Sequence, residues 1–207
     1  MNDEADSKSP DGRADLRERV LGAAEAAIAA GGLQNLKARN VAAEAGCAVG
    51  AIYNVFDDLD ELILRVGART RSLLEAALVG ASLAPDGQTA ADELVRLARA
   101  YLNFARMHKM RWRALFEHRM ADARPVPAWY AEDRNRLLLM LDAPLARLRP
   151  REPPEARALL ARTLFSAVHG IVSLGLEERL APMPPKTLNA QLEIVTRAFA
   201  AGLRIKA

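Results

Sequence analysis

The stretch from Leu36 to Leu62 constrains the fold of this chain most, because it reads as two short helices joined by a tight turn. The first segment has a small apolar face and ends at Gly46, where a helix end needs a positive φ. A second helix over Ala48 to Val55 is predicted to turn Ile52 and Phe56 toward one side. Two short helices around a glycine-containing turn are typical of a helix-turn-helix, whose second helix usually enters the DNA major groove.

An ordinary corner between two core helices has the same outline, and such corners are far more common than DNA-reading motifs. Small residues at the start of the second helix favour the DNA-reading interpretation, because they leave a bare surface that suits close approach to another macromolecule. In addition, an Asn side chain can bond adenine through two hydrogen bonds, and a Tyr hydroxyl can reach a phosphate. The residues predicted to meet DNA from this helix are Ala48, Val49, Gly50, Ala51, Tyr53 and Asn54.

The same stretch resembles the sequence pattern of TetR-type transcriptional regulators over roughly 50 residues. The matching positions are Ala45-Gly46, Gly50, Ile52-Tyr53, Phe56 and Glu61-Leu62, after a helix that ends in Gly31-Gly32. The chain departs from the pattern where Ala51 replaces the usual Thr, Val55 the frequent His or Tyr, and Leu59 the usual phosphate-contacting Lys.

The resemblance implies that a first helix, predicted over Arg13 to Ala30, packs across the two motif helices to form a three-helix domain. It also implies phosphate contacts from cations near the motif. A solvated helix face is the alternative for each of them taken singly. These cations are Arg13, Arg17, Lys37 and Arg39.

Composition favours an all-α protein, since Ala, Leu, Arg and Glu dominate while β-branched and aromatic residues are few. No apolar run is long enough for a membrane span and no signal sequence opens the chain, so we expect neither. The single cysteine, Cys47, cannot form an internal disulfide, which agrees with a reducing cytoplasm. The net charge gives little evidence for DNA binding, because acidic and basic residues are equal in number from Arg13 to Arg71.

We therefore expect a disordered tail over residues 1–12, a helix-turn-helix DNA-binding domain over residues 13–57, and a larger helical effector-binding and dimerisation domain over residues 58–207. Asp58 and Glu61 have the spacing of a helix N-cap and its third residue. The helix that they open, from about Leu59 to Ala81, would be over ~30 Å long and link the two domains rigidly. Its predicted buried stripe is Leu59, Leu62, Val66, Thr70, Leu73 and Ala77.

The next segments combine apolar and aromatic residues with cations. The run from Arg106 to Met120 has two interpretations: a nucleic-acid strip of cations and aromatics, or a helix that turns Met107, Trp112, Leu115 and Phe116 inward, which we prefer. In the fold that the resemblance implies, the inward residues can line a cavity for a small apolar or amphipathic effector. The candidate effector pocket is Tyr101, Phe104, Met107, Trp112, Phe116, Trp129, Phe165 and His169.

Two helices predicted at the end of the chain, Glu155 to Arg179 and Thr187 to Ile205, have apolar stripes too wide for one neighbour. They indicate a homodimer interface of four helices across a two-fold axis, with burial in a monomer core as the alternative. Phe165 to Gly170 also resembles the Trp-His-Gly signature of one TetR-type subgroup, with Val in the Trp position. His169 is more often a core residue than a ligand in such a setting.

No catalytic or metal-binding pattern emerges from the sequence. His108, His118 and His169 lack zinc-site spacing, and no glycine-rich phosphate loop exists. Cys47 could be a redox sensor, but a buried inert Cys is the commoner case. We therefore expect a non-enzymatic cytoplasmic regulator without cofactors that binds a palindromic double-stranded DNA operator, most simply a repressor released by its effector. The first alternative is a helical protein-interaction module without DNA affinity, and the second is an enzyme that binds a small molecule.

Overall fold

The computed structural model describes residues 10–83, 89–121, 124–177 and 183–205, and this part of the chain is helical without a strand. The all-α fold expected from composition is therefore confirmed. A 3-10 turn, Leu33–Asn35, joins the first two α-helices. The α-helices are α1 (Pro10–Gly31), α2 (Ala38–Glu44), α3 (Val49–Ile52), α4 (Leu59–Ser82), α5 (Ala90–Met107), α6 (Lys109–Glu117), α7 (Ala128–Leu139), α8 (Asp142–Leu148), α9 (Pro154–Gly175) and α10 (Pro185–Ile205).

The chain divides into two compact units. Unit 1 comprises residues 1–71 and 108–130, and unit 2 comprises residues 72–107 and 131–207. Helix α4 begins in unit 1 and ends in unit 2. The functional boundary expected after residue 57 stays a prediction. Of the predicted tail, residues 1–9 lie outside the described part, and α1 begins at Pro10, three residues before the predicted start.

Unit 1 is built around the apolar stripe of α1. Leu16, Val20, Ala24 and Ile28 recur every fourth residue and are all buried, as the helical spacing predicts. The stripe packs against the helix-turn-helix, the start of α4, and α6. A first helix packed on the two motif helices is the arrangement that the resemblance implies.

The turn between α2 and α3 forms as the sequence predicts. Gly46 has φ of 65°, a conformation that costs little only for glycine. The Gly46 N–H donates to the Ala43 carbonyl at 3.3 Å, and the Cys47 N–H donates to the Ala42 carbonyl at 2.9 Å. These two bonds form a Schellman motif, which satisfies the last carbonyls of α2 and reverses the chain toward α3.

The N-terminus of α4 is capped by Asp58, since the Glu61 N–H donates to Asp58 Oδ1 at 2.8 Å. The Glu61 side chain accepts the N–H of Asp57 at 2.9 Å, one residue before the position of an ideal capping box. The buried stripe then follows every fourth residue, so Leu74 is buried and Leu73 is 46% exposed. Leu73 and Ala77, which is also exposed, were wrongly placed on the stripe, because a 3-4 spacing read from sequence can drift by one residue along a long helix.

Helices α5 and α6 are separated by a break at His108, whose φ of −120° and ψ of 39° are not helical. The prediction of one continuous inward-facing helix is therefore wrong in part. Trp112 is buried, whereas Met107 is 77% and Phe116 47% exposed. The break changes the direction of the apolar face, which local periodicity cannot reveal.

Prolines lie at the starts of two further helices. Pro127 lies directly before α7, which ends at Leu139. A proline within a helix kinks or ends it, so the sequence predicts a kink or an end at Pro144. Pro144 instead lies in the first turn of α8, where a missing N–H removes no helical hydrogen bond. The turn-forming residues Pro85 to Gly87 predict the end of α4, but they lie outside the described residues, as do residues 178–182. Helix α9 ends at Gly175 rather than at the predicted Arg179.

Unit 2 packs α5 against α8 and α10, and α9 against α8 and α10. Leu188, Leu192, Thr196 and Ala200 of α10 are buried, so the buried line follows every fourth residue. By length and composition, α9 is the one described helix apolar enough to cross a membrane. It packs on three helices of unit 2, which are α5, α8 and α10, and core helices of globular proteins have the same composition.

Candidate functional site

The segment after the turn is helical for a shorter distance than predicted. Helix α3 spans only Val49–Ile52. From Tyr53 to Val55 the backbone continues in bonds between residues three apart, with N···O distances of 3.1–3.2 Å. Such bonds wind the chain more tightly than an α-helix and commonly end one. The predicted helix of residues 48–55 is therefore one α-helical turn followed by tight turns, which we call the recognition segment.

The recognition segment presents most of the predicted DNA contacts to solvent. Tyr53 is 49% and Val49 40% exposed, and Asn54 is exposed beside them. Ala48 and Gly50 are also exposed, and a Cβ added at Gly50 would meet nothing within 4 Å. The opposite side of the segment is anchored in the core.

The anchor of the recognition segment is the pair Ile52 and Phe56, both almost fully buried. Ala51 is half-buried and packs against the same core, so it is less accessible to DNA than its neighbours are. On α2, Arg39 is exposed, and Lys37 is exposed at the N-cap position. The segment can thus offer an outward face without losing its packing.

Arg17 has a different position from the one that sequence reasoning assigns to it. Its guanidinium donates to the Val55 carbonyl and to Glu61 Oε1, the latter at 3.1 Å. It also lies 4.2 Å from the centre of the Phe56 ring, at cation–π distance. Arg17 therefore holds the end of the recognition segment instead of facing outward. Arg13, one helical turn earlier, is exposed.

The start of α4 carries a network of charges around the cap. The Glu61 N–H and then Arg124 hold the pKa of Asp58 below its usual range. Burial alone would raise the pKa of Glu61, but the Asp57 N–H, Arg17 and Arg65 outweigh it and lower that pKa. Both carboxylates are therefore ionised at neutral pH and keep the start of α4 in place directly after the recognition segment.

Cys47 lies in the turn and is partly buried. Burial raises the pKa of its thiol, and Arg19 offsets that rise only in part. The thiol form is therefore favoured at neutral pH, which is the less reactive form.

Unit 2 contains an apolar cavity with a volume of about 50 Å³. Tyr101 lines it, and the Tyr101 hydroxyl lies 2.8 Å from Nδ1 of His169. Burial lowers the pKa of His169, so the ring is neutral at pH 7. The residues that line the cavity are Leu74, Leu78, Leu94, Leu97, Ala98, Tyr101, Leu137, Met140, Leu141, Leu164, Phe165 and Val168.

The candidate effector residues are divided by the fold. Tyr101 and Phe165 line the cavity, and His169 bonds to Tyr101. Phe104 is buried and Met107 exposed on the same helix as Tyr101, but neither lines the cavity. The remaining three, Trp112, Phe116 and Trp129, belong to unit 1.

In unit 1, Trp112 packs edge-on against Phe116 at 5.6 Å, and Trp129 lies under Arg65 at 4.1 Å. Sequence reasoning missed the leucines of α4 and α7 that line the cavity. The only sequence feature that marks these leucines is apolar spacing along a helix. Ordinary core residues have the same spacing, so it does not identify a cavity. The eight-residue pocket as a whole stays a prediction.

Among the described residues, no group of three or more His, Cys, Asp or Glu side chains could hold a metal ion. His118 lies 3.3 Å from Asp60, but burial lowers the pKa of His118 despite the nearby carboxylates. His118 therefore takes part in the contacts at the start of α4.

The first unit and its exposed recognition segment define a helix-turn-helix DNA-binding protein with a separate helical domain. Residues 20–66 match the profile of bacterial regulatory proteins of the tetR family, and residues 94–199 match that of a tetracyclin repressor-like C-terminal domain. The chain belongs to the tetR family of regulators, so it is a DNA-binding transcriptional regulator. The likeness to the Trp-His-Gly subgroup stays a prediction.

Solved structures share this fold over nearly the whole chain. A transcriptional regulator from Rhodococcus sp. RHA1 is 26% identical with a TM-score of 0.63, over 90% of this chain and 96% of the other. A tetR-family regulator from Streptomyces coelicolor is 18% identical, with a TM-score of 0.70 and coverage of 94% and 84%. A Rhodococcus sp. RHA1 protein of unknown function is 23% identical, with a TM-score of 0.70 and coverage of 91% and 95%. Comparison with curated proteins gives no match.

Proposed function

We propose that this protein is a homodimeric, non-enzymatic repressor of the cytoplasm that a small apolar or amphipathic effector releases from a palindromic operator. The observation that carries the proposal is the recognition segment, whose Val49, Tyr53 and Asn54 face solvent while Ile52 and Phe56 fix the segment to the core. Two such segments in a two-fold dimer would enter successive major grooves, about one helical turn of DNA apart or somewhat more.

The contacts divide by role. Tyr53, Lys37 and Arg39 are the phosphate-binding candidates, which set position on the duplex but do not read sequence. Asn54 and Val49 are the candidates for base contacts, since an amide can pair with adenine and a methyl group can meet thymine. The small residues Ala48, Gly50 and Ala51 let the backbone approach the groove closely.

Dimerisation through α9 and α10 is supported by the apolar residues that both helices leave exposed. On α9, Leu159 is 66% and Leu174 61% exposed, and on α10 Ile194 is 59% exposed. Between Leu159 and Leu174 the exposed positions are mostly small, such as Ser166 and Ala167, which lets a second helix pack closely. Sedimentation velocity should therefore find twice the mass of one chain.

Effector release is a population shift in this proposal. A ligand in the cavity of unit 2 can weaken DNA binding only by the difference in its affinity for the DNA-bound and released forms. Isothermal titration of the effector with and without operator measures that difference directly. Equal effector affinities in the two titrations would refute effector control while leaving DNA binding untouched.

Asn54→Ala tests the DNA-binding half of the proposal. An operator selected from random duplexes by the wild-type protein should bind the variant more weakly by about 1–3 kcal/mol, because one bidentate base contact is lost. The thermal midpoint should hardly change, since Asn54 is exposed. Asn103→Ala is the matched control: Asn103 is exposed on α5 of unit 2 and should leave operator affinity unchanged. Equal losses in both variants would contradict the assignment.

A further inference from the structure

The cavity of unit 2 has walls that restrict the chemistry of its ligand. None of the twelve described residues that line it carries a charged side chain, and eleven of them are Leu, Ala, Val, Met or Phe, with Tyr101 as the hydroxyl-bearing exception. A charged group brought into such walls would lose its water without gaining a partner, so burial would penalise it heavily. Apolar atoms gain dispersion contacts at the same walls.

Among the described residues that line the cavity, Tyr101 belongs to a polar pair. The Tyr101 hydroxyl and His169 Nδ1 are 2.8 Å apart. Phe165 fixes both rings, since it meets Tyr101 edge-on and stacks on His169, each with centroids 5.6 Å apart. The pair is uncharged at pH 7, because burial keeps His169 neutral. It can therefore bond a neutral polar group, but it offers no charge to balance an ionic one.

The size of the cavity sets a second limit. Its volume is about 50 Å³, which leaves room for several water-sized groups but not for a large ligand. The space therefore suits a compact molecule, such as a single six-membered ring with one small substituent. Met140 and the leucines can change rotamer around it, which allows some adjustment of shape.

We propose that this cavity takes a compact, uncharged ligand made mostly of hydrocarbon, with one neutral polar group that meets the Tyr101 hydroxyl. This inference rests on the proposed effector role of unit 2 and specifies the ligand class. Anionic and cationic ligands of the same size should bind more weakly, because the described lining residues offer no opposite charge to replace the lost water. A hydroxyl group can bond the Tyr101 hydroxyl with either tautomer of His169, whereas a ketone or ester can accept from it when His169 Nδ1 carries the proton and donates to the Tyr101 oxygen.

Three probes with one six-membered ring and different charge test the class: cyclohexanol, cyclohexanecarboxylate and cyclohexylammonium at pH 7. Each is titrated into the full-length wild-type protein carrying ¹³C-labelled Leu and Val methyl groups, and NMR shifts of the lining methyls report site and affinity. Cyclohexanol should shift those methyls saturably, and both charged probes should bind at least tenfold more weakly. A charged probe that binds as well as cyclohexanol would overturn the proposal.

Two variants locate the binding. Ala98→Leu adds a side chain to the cavity wall and should abolish the cyclohexanol shifts, whereas Ala158→Leu makes the same change at an exposed position of α9 and should leave them intact. Tyr101→Phe should weaken cyclohexanol several-fold without affecting methylcyclohexane. Persistent cyclohexanol shifts in Ala98→Leu, or unchanged cyclohexanol affinity in Tyr101→Phe, would refute the site. If Ala98→Leu does not fold, the three probes on the wild type still decide the ligand class.

Operator binding measured on the same protein separates this inference from the proposed function. Specific DNA binding without any cyclohexanol-induced shift of the lining methyls would refute the ligand class and leave the proposed repressor function intact. Saturable cyclohexanol binding at the lining methyls without any DNA binding would support the ligand class and refute the repressor.

Discussion

Replacing Arg17 with methionine tests how the recognition segment is held in place. The guanidinium makes three contacts that methionine cannot: a hydrogen bond to the Val55 carbonyl, an ion pair with Glu61 at 3.1 Å, and a cation–π contact with Phe56 at 4.2 Å. The methionine side chain is about as long as the aliphatic part of arginine, so it preserves much of the apolar packing that this part makes. The change therefore removes the polar contacts while it preserves most of the packing.

The structure sets the size of the effect. A hydrogen bond from a charged donor contributes about 1.5–3 kcal/mol. The ion pair adds at most about 1 kcal/mol, because the Arg17 side chain is 34% and that of Glu61 20% exposed. The cation–π contact adds about 0.5–1 kcal/mol. One guanidinium makes all three contacts and water can replace some of them, so we expect a loss of about 2–3 kcal/mol in the free energy of unfolding rather than the sum.

DNA binding should weaken for an indirect reason. If only about a tenth of the variant molecules hold the recognition segment correctly, the apparent operator affinity falls about tenfold. The dependence on salt should not change, because no phosphate contact is lost. A direct phosphate contact from Arg17, as the sequence suggested, would instead reduce the slope of log K against log salt by about 0.9.

Urea denaturation and operator titrations at several salt concentrations measure both effects. Arg13→Met is the matched control, because Arg13 is exposed one turn earlier on the same helix. A variant as stable as wild type, with weaker operator binding and a reduced salt slope, would refute the positioning role and restore the phosphate contact.

Three further changes have outcomes that follow from the contacts. Asp58→Ala should destabilise the protein by about 1 kcal/mol in urea denaturation, and Asp58→Asn by much less, since Asn also caps helices; equal losses would exclude the cap as the cause. Gly175→Ala should lower the thermal midpoint, because the added Cβ would overlap Leu188 Cδ2 and cost about 1–3 kcal/mol. Gly80→Ala should raise the midpoint, because its added Cβ meets nothing within 4 Å and alanine favours helix by about 1 kcal/mol. The lowered pKa values of Asp58 and Glu61 predict stability that is complete above their ordinary values of 3.8 and 4.5 and is lost as pH falls through the lower folded-state values. Denaturation at a series of pH values should therefore show less acid destabilisation in a variant lacking both carboxylates.

Features that depend on near neighbours in the chain were accessible from the sequence. The N-cap of α4 joins Asp58 to a backbone N–H three residues later, and the turn before α3 needs only a glycine in a left-handed conformation at Gly46. The α1 stripe is a periodicity of one helix. Each of these depends on interactions within about one or two helical turns, so local spacing is sufficient to predict it.

The role of Arg17 required the tertiary structure, because its partner Val55 lies 38 residues away. So did the exposure of Met107, which depends on the break at His108. The cavity likewise joins α4, α5, α7 and α9, so its lining could not be separated by sequence from other apolar helix faces. The sequence alone determined the helices, their caps and the helix-turn-helix, because these are local. The tertiary structure decided that the Arg17 side chain bonds within unit 1 and which aromatic residues meet around the cavity, because packing between distant helices sets those contacts.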